Sequence, residues 1–506
     1  MKNIFKNNKI LVVSMLLVLL SCKKLDINHS PNNPPVESAT VEVLFPTAVM
    51  SSVGRINGDL SIVGGIWAQF WTQSNGASQF RTVDAYSLTN SSTFINGPYA
   101  ELYSGALNDY NLAGQKALAA KDWRYNLMIT VMKAYTFQVL VDLFDKVPYT
   151  EAFQPTTILQ PKFDDGYTIY KSLIASIDDA LAKDYRGTIH TDDQTKVDFV
   201  FGDHGNASFE TQMNNWEKFA NTLKLKMYLR MVNAKPAEAE AGIKKLYQDG
   251  AKFLDVNAGV NNFVATPDKG NPFYEYNFRR LNTPDNLKAS VTLTSWLDKN
   301  QDPRAEAFFA TPNPVPSIDQ GDYLGGNNDA VNPVVKVTDP AWLISLPESY
   351  FMQAEARERY FGVGSGAALY QKGLSAAFAQ AGLTDADIPA SYAYPASSTL
   401  ETNIEAIIVQ KWASLFGAHA LEAFFERNRT GYPKTSPFYS SDPEYRNDKT
   451  DPAHPKDHAG EFVYSANGVT GPGNFPQRFL FPDDEKSRNT NTPAEVPIYT
   501  KVWWGK

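Results

Sequence analysis

The residue with the most distinctive chemistry is Cys22, the only cysteine among 506 residues. It follows the apolar run 10–20 after one intervening serine, three lysines precede that run, and the local sequence is Leu-Leu-Ser-Cys. A positive segment followed by an apolar run of this length is typical of a secretory signal and is too short to span a membrane. A leucine three positions before the cysteine and a small residue directly before it are typical of a bacterial lipobox. We therefore predict a signal peptide at 1–21 and lipid attachment at Cys22. The alternative is an ordinary signal peptide with an incidental cysteine.

Lipid attachment at Cys22 would anchor the rest of the chain to a membrane. Acylation of the thiol and of the new amino terminus would supply several acyl chains, more than stable anchoring requires. Residues 22–40 are polar and rich in Pro and Asn, which is typical of a flexible tether. The remaining residues, 41–506, are predicted to form one folded binding domain that contacts the membrane through its lipid alone.

Two stretches combine aromatic rings with polar side chains in a way that suits sugar recognition. The apolar faces of sugar rings can stack on Trp and Tyr, while Asn, Asp and Arg can bind hydroxyl groups. The candidate ligand-binding residues of the first stretch, 64–80, are Trp67, Trp71, Gln73 and Asn75. Those of the second stretch, 271–280, are Tyr274, Tyr276 and Arg279. If the second stretch were a strand, Tyr274, Tyr276 and Phe278 would share one face. The alternative for both stretches is that the aromatic side chains only anchor loops.

Three other patterns do not support a cofactor or metal site. The glycine-rich segment 362–367 resembles a dinucleotide-binding loop, but a helical segment precedes it where that motif needs a strand, so we predict a turn between helices. His454 and His458 are four residues apart, but nearby prolines exclude the helix that would bring them together on a metal. A loop with oxygen ligands but without EF-hand spacing contains Asp319, Asp322, Asn327 and Asp329. We therefore expect no cofactor and no metal.

The charge balance excludes one class of partner and leaves one enzymatic alternative open. The sequence has 47 Lys and Arg against 55 Asp and Glu, a net charge of −8, and no block of basic residues, so we do not expect nucleic-acid binding. Three acidic pairs could in principle serve a glycoside hydrolase, but adjacent carboxylates usually point apart into solvent. These pairs are Asp164–Asp165, Asp178–Asp179 and Asp192–Asp193.

Most of the strong periodic signals are helical. Residues 123–144 and 214–233 place apolar side chains at helical spacing, and 346–361 with 366–382 has the pattern of a tetratricopeptide helix pair. The stretches 251–285, 301–340 and 430–500 are rich in Pro, Gly, Asn and Asp, which favours loops. The pattern predicts a mainly α fold, a tetratricopeptide-like helical-repeat scaffold with a loop-rich, irregular second half.

Several motifs, taken in order, resemble the SusD/RagB family of outer-membrane nutrient-binding lipoproteins of Bacteroidota. The matching segments are the lipobox, 134–153, 216–231, 346–361, 407–433, 475–491 and the terminal Lys-Val-Trp-Trp. The chain departs from the family pattern at Asp145 and Lys146, where Gly and Asp are common. Within these motifs we predict core packing for Trp216, Phe219 and Trp412, and loop anchoring for Arg427 and Arg429.

The resemblance implies a fold, a location and a partner. It implies a SusD-like arrangement of tetratricopeptide-like helix pairs, lipid-anchored at the outer membrane and facing the cell exterior. It also implies a SusC-type TonB-dependent transporter as partner, to which the protein would deliver an oligosaccharide or, in second place, a peptide without acting as an enzyme. A helical scaffold that binds only proteins is the alternative, and it predicts no affinity for free oligosaccharide or peptide.

Overall fold

The computed structural model describes residues 39–506 except 90–92, 155, 188–192, 325–328, 396–398, 418 and 438–457. The predicted signal peptide, Cys22 and nearly all of the predicted tether therefore lie outside the described residues. The same is true of Asp192, Asn327 and His454.

Helices dominate the described residues, which confirms the predicted fold class. The α-helices are α1 (Val41–Ile56), α2 (Asp59–Trp67), α3 (Arg81–Asp84), α4 (Thr93–Glu101), α5 (Asn108–Ala120), α6 (Trp123–Phe144), α7 (Gly166–Leu181), α8 (Asp193–Val197), α9 (Phe209–Arg230), α10 (Pro236–Gln248), α11 (Pro272–Tyr274), α12 (Val291–Lys299), α13 (Arg304–Phe309), α14 (Leu346–Tyr360), α15 (Ala367–Gln380), α16 (Leu400–Ser414), α17 (Ala420–Thr430) and α18 (Asp483–Arg488). Two segments are π-helical, Leu102–Leu107 and Glu275–Arg280. Single 3-10 turns cover Asp203–Gly205, Asp385–Asp387 and Ala390–Tyr392.

The strands are short and form three separate antiparallel pairs in the described part of the chain. They are β1 (Trp71–Gln73), β2 (Lys146–Pro148), β3 (Phe163–Asp165), β4 (Ala258–Val260), β5 (Leu287–Ala289) and β6 (Ala341–Ile344). Strand β1 pairs with β5, β2 with β3, and β4 with β6. The pairs β1–β5 and β4–β6 join distant parts of the chain, so each fixes a loop of the second half to the helical scaffold.

Helix α6 has the bounds predicted from its periodicity. The Asp122 side chain accepts a hydrogen bond from the Tyr125 backbone N–H and so begins the helix with a cap. The helix is long and apolar enough to cross a membrane by length and composition, but 89% of its most apolar window is buried in the protein. It is therefore the core helix around which its neighbours pack.

Helix α6 ends at a residue where the chain departs from the family pattern. Asp145 has φ +71°, a backbone conformation that glycine adopts at little cost and other residues adopt under strain. Its carboxylate accepts a hydrogen bond from the Trp503 backbone N–H at 2.6 Å and lies 3.6 Å from Arg478. The carboxyl-terminal segment thus holds the turn that an aspartate makes in place of glycine.

Helices α14 and α15 form the predicted helix pair, and 362–367 is the turn between them. Gly362 and Gly364 have φ +105° and +88°, which explains the glycines without a cofactor. The backbone N–H groups of Gly364 and Gly366 donate to the Glu358 carboxylate at 2.8 and 2.7 Å. Helix α9 begins five residues before the predicted 214–233 and ends three residues before its end.

The loop prediction for the second half is too coarse. The predicted loops 251–285 and 301–340 contain α11, a π-helix, β4 and α13, and 430–500 contains α18. These elements are shorter than the window in which helical periodicity can be recognised. The aromatic predictions are confirmed, because Trp216, Phe219 and Trp412 are at most 1% exposed.

A buried network of charged side chains joins five helices. Arg230 on α9 donates to Asp142 on α6 at 3.1 Å and to Glu422 on α17 at 2.7 Å, and it also bonds Glu426. Arg429 on α17 donates to Glu355 on α14 and to Glu426, each at 2.6 Å. Further cations of the network include Lys226 on α9, 2.8 Å from Glu422, and Lys411 on α16, 3.2 Å from Glu426.

These charges persist in the interior because cations and anions alternate in space. Burial alone would raise the pKa of the Glu422 carboxyl, but Arg230, Lys226 and Lys411 hold that pKa at about 2. Burial raises the pKa of Asp142, although Arg230 opposes the shift. The Trp504 indole N–H donates to Asp142 at 2.7 Å, so the last residues of the chain complete the network.

Removing one cation should leave the buried carboxylates that it bonds with less compensating charge. We expect Arg429→Leu to lower the free energy of unfolding by about 3–5 kcal/mol, since Glu355 and Glu426 would lose their shared partner. The measurement is urea denaturation followed by circular dichroism. Lys245→Gln, which breaks an exposed ion pair with Asp249, is the control and should change stability little. Equal effects of the two variants would contradict the role given to the network.

Candidate functional site

A groove of about 1030 Å³ lies between helix α1 and the segment 263–280, and we call it the α1 groove. Helix α1 contributes one wall, the segment 263–280 contributes the other, and Phe199 and Glu101 line it as well. Its charged lining residues are Arg55, Arg279, Arg280, Glu101, Asp268 and Glu275. Its aromatic lining residues are Phe199, Phe263 and Tyr276. Aromatic rings beside balanced charges suit a ligand with apolar faces and polar groups.

Helix α1 can form a groove wall because its two faces differ. The buried face consists of Leu44, Phe45, Ala48, Val49, Ser52, Val53 and Ile56. The groove face carries Val43, Pro46, Thr47, Met50, Ser51, Gly54 and Arg55. This wall was not predicted from the sequence, although the buried residues have the 3.6-residue spacing of a helix, a signal that Pro46 partly obscures.

The opposite wall is held by Asn271, which is fully buried. Its side chain accepts from the Tyr274 backbone N–H at 3.2 Å and so caps helix α11, which begins with Pro272. Its backbone N–H donates to the Val337 carbonyl at 2.7 Å, and its amide donates to the Asp339 carbonyl at 2.9 Å. The segment is therefore fixed to the chain that leads into β6.

Residues 274–280 are helical, so the strand arrangement that would place Tyr274, Tyr276 and Phe278 on one face does not occur. Four residues apart on a helix, Tyr274 and Phe278 pack together with ring centroids 5.0 Å apart. Tyr276 points elsewhere and lines the α1 groove, where it is half-buried. The Arg280 guanidinium lies 5.9 Å from the centre of the Tyr276 ring.

Arg279 also lines the groove, but its polar contacts lie within the wall. It donates to the Glu275 carboxylate and to the Ala265 carbonyl, each at 2.6 Å, and its guanidinium lies 5.5 Å from the Tyr274 ring. Glu275 also accepts from the Gly270 backbone N–H at 2.9 Å. Arg279 therefore holds the wall in shape, whereas Arg280 is exposed.

Arg55 at the end of α1 adds a charge whose partner is buried. It donates to Asp59 at 3.0 Å. Burial raises the pKa of Asp59 to about 6, and Arg55 limits the shift. Burial and the nearby Asp59 charge both raise the pKa of the Tyr276 hydroxyl. Tyr276 is therefore a neutral hydrogen-bonding group at the groove surface.

The first predicted stretch lies in the interior. Trp67 and Trp71 are 4% and 0% exposed, and their indole N–H groups donate to the Val83 and Ile62 carbonyls, each at 3.0 Å. The Trp67 ring packs against Phe424 and Phe479, and the Trp71 ring packs against Phe70, Phe273 and Phe416. These contacts leave no ring face for a ligand and contradict the predicted platform at these two residues.

Gln73 is also fully buried, which contradicts its predicted role in ligand contact. Its side chain accepts from the Phe80 backbone N–H at 2.6 Å and donates to the Asn286 carbonyl at 3.0 Å. Nearby Asp84, whose pKa burial raises to about 6, accepts from the Gln73 backbone N–H at 2.9 Å. These buried groups fix strand β1.

Asn75 is half-buried and lies apart from the α1 groove. Its carbonyl accepts from Arg81 at 3.3 Å, and the Arg81 guanidinium lies 5.3 Å from the Tyr323 ring. Asn75 belongs to this separate surface, which we call the Arg81 surface.

The two predicted stretches, 64–80 and 271–280, nevertheless contact each other. Trp71 packs edge-on against Phe273, with ring centroids 5.3 Å apart. Asn286 accepts from Gln73 and donates to Asn277 at 3.1 Å. The first stretch therefore supports the groove wall from beneath, while Tyr276 and Arg279 of the second stretch line the groove.

The two acidic pairs that lie wholly within the described residues, Asp164–Asp165 and Asp178–Asp179, point apart. Asp164 accepts from the Thr150 backbone N–H at 2.8 Å, while Asp165 pairs with Lys146 at 2.8 Å. Asp178 pairs with Lys224, and Asp179 pairs with Lys183. Within the described residues, no three His, Cys, Asp or Glu side chains are grouped to hold a metal ion.

Paired helices around a charged core, with a groove of ligand size on the surface, define a helical-repeat protein. The chain belongs to the SusD-like family described as "Starch-binding associating with outer membrane", whose model matches residues 33–453. No curated protein matches the chain.

Solved structures share this fold at low sequence identity. A SusD homolog from Bacteroides uniformis superposes with a TM-score of 0.72 at 18% identity, over 92% of this chain and 99% of that one. A chitin-binding SusD homolog from Flavobacterium johnsoniae superposes with a TM-score of 0.70 at 20% identity, over 91% and 97%. A SusD homolog from Bacteroides vulgatus gives 0.69 at 18% identity, over 91% and 97%. The predicted SusD-like fold is confirmed.

The two arginines of the groove wall should behave differently when removed. We expect Arg279→Ala to lower the free energy of unfolding by about 1–2 kcal/mol, because two hydrogen bonds within the wall are lost. Arg280→Ala should leave stability unchanged, since its guanidinium is exposed. Thermal or urea unfolding measures both. A larger loss of unfolding free energy from Arg280→Ala than from Arg279→Ala would contradict the role given to Arg279 in the wall.

Proposed function

We propose that this protein binds a glycan in the α1 groove at the cell surface and delivers it to a SusC-type TonB-dependent transporter. The observation that carries the proposal is the half-buried Tyr276 ring, set among paired charges in a groove with room for several sugar units. The family description names starch, and structural relatives are described as chitin-binding, which supports a carbohydrate ligand.

The groove offers the contacts that a sugar needs. The Tyr276 ring provides an apolar face, and its hydroxyl provides a hydrogen-bonding group at the same position. Arg280 and Glu101 offer charged groups to hydroxyls or to acetamido groups. The opposite charges around the groove balance, which favours a neutral ligand over a strongly charged one.

The proposed position at the membrane depends on Cys22. We propose that a lipid on this residue and the tether that follows it hold the folded domain at the outer face of the outer membrane. A domain held in this way can meet both a free glycan and a transporter in the same membrane. No step in this role requires catalysis, a cofactor or a metal.

Removal of the Tyr276 ring should weaken binding without unfolding the protein. Calorimetry with maltohexaose and with the hexamer of N-acetylglucosamine should show binding of at least one, weakened about tenfold by Tyr276→Ala. Tyr276→Phe should retain most of the affinity if ring stacking dominates. Tyr499→Ala, at an exposed tyrosine outside the groove, is the control. Binding of a peptide library but of neither sugar would reject the glycan proposal.

The transporter can be tested in the native membrane. A tagged full-length protein, purified from native outer membranes in mild detergent, should bring down a large TonB-dependent barrel in near one-to-one ratio. The control is Cys22→Ser, which cannot be lipidated on sulfur and should lose both membrane attachment and the barrel. Absence of a barrel, under conditions that preserve other outer-membrane complexes, would contradict delivery and favour a free-standing binder or a protein scaffold.

A further inference from the structure

The α1 groove adjoins another concavity at Phe199. This half-buried ring lines the groove and also lines a second concavity of about 580 Å³. The second concavity lies between residues 196–215 and 256–262. On its other side, Asn261 and Asn262 line it directly before Phe263, which lines the groove. The two spaces therefore adjoin along both walls.

The second concavity is rich in amide side chains. Those that line it are Asn206, Asn215, Asn257, Asn261 and Asn262. An amide offers both donors and an acceptor without charge, which matches the hydroxyl and acetamido groups of sugars. Asp198 lies on the same lining but is buried and accepts from Trp216 and Gln212, each at 2.7 Å, so it positions the wall.

The backbone that forms one edge of this concavity is strained. Asp203 and His204 have φ +45° and +55°, and Gly205 has φ +90°. Consecutive non-glycine residues in this region cost free energy and persist only where neighbouring structure holds them. The Thr195 hydroxyl donates to the Gly205 carbonyl at 3.4 Å, and the Gly202 backbone N–H donates to the Asp198 carbonyl at 2.9 Å.

A third concavity adjoins the second at Asn257. Its volume is about 750 Å³, and Asn257 lines both. The Asn257 side chain accepts from the Leu346 backbone N–H at 2.7 Å and from the Gln380 amide at 3.1 Å, so the junction is fixed. The half-buried Trp342 and the stacked pair Phe308 and Phe416 also line this space.

We propose that these three concavities form one track for an extended, linear glycan chain, a proposal that rests on the proposed function. Each concavity has an aromatic ring at its surface, namely Tyr276, Phe199 and Trp342, with amide or charged groups between them. Their combined space exceeds that of a site for one small ligand. A short oligosaccharide fills the α1 groove alone, and a longer chain continues past Phe199 toward Trp342.

The track predicts that affinity depends on chain length. Calorimetry uses two series of probes, maltooligosaccharides and N-acetylglucosamine oligomers of about two to eight units. Because linked subsites add to affinity, the longest members of the bound series should bind about tenfold more tightly than the shortest. The double variant Asn261→Ala/Asn262→Ala changes two exposed residues of the second concavity, so it should fold normally. It should abolish the gain from length while short oligomers bind as before.

One control and one further variant separate this proposal from the proposed function. Gln248→Ala, at an exposed residue outside the track, should keep the full gain from length. Trp342→Leu should remove the gain from the longest chains only. If short oligomers bind but affinity does not rise with length, the track is wrong and the proposed function stands. If the double variant retains the gain, the track does not pass through the second concavity. If neither series binds at any length, both proposals fail.

Discussion

The rest of the structure depends on the buried network of charges around Arg230 and Arg429. An unpaired charge in this interior would cost much free energy. Each helix with a buried charge must therefore pack against the helices that carry the opposite charges. Glu422, Glu426 and Arg429 place α17 at the centre of the scaffold, and Trp504 brings the end of the chain to the same point. The network thereby selects one arrangement of helices among those that apolar packing alone would allow.

This arrangement reaches the α1 groove through close contacts between helices. A Cβ on Gly64 of α2 would lie 2.4 Å from the Leu421 backbone, so α2 approaches α17 as closely as glycine allows. Helix α1 precedes α2 directly, and the Asn57 amide between them donates to the Trp342 carbonyl of β6 at 2.7 Å. Both walls of the groove are thus fixed to the charged core, which favours a preformed binding site over one that orders on binding.

The scaffold could be predicted from the sequence because long helices repeat their apolar spacing many times. The bounds of α6 and the pair α14 and α15 illustrate this. The candidate site could be predicted only in part, since an aromatic residue beside a polar one has the same local pattern in a core and in a groove. Trp71 is buried and Tyr276 lines the groove because different distant segments pack against them. Phe416 packs on Trp71 from 345 residues away, and no local pattern records that contact.

The proposed function depends on a glycan lying against Tyr276 in the α1 groove. The most direct measurement is a crystal structure of the folded domain with the oligosaccharide that binds most tightly in solution. We expect electron density for a sugar ring over the face of Tyr276, between α1 and the segment 263–280. Density on the Arg81 surface beside Tyr323, with the α1 groove empty, would contradict it.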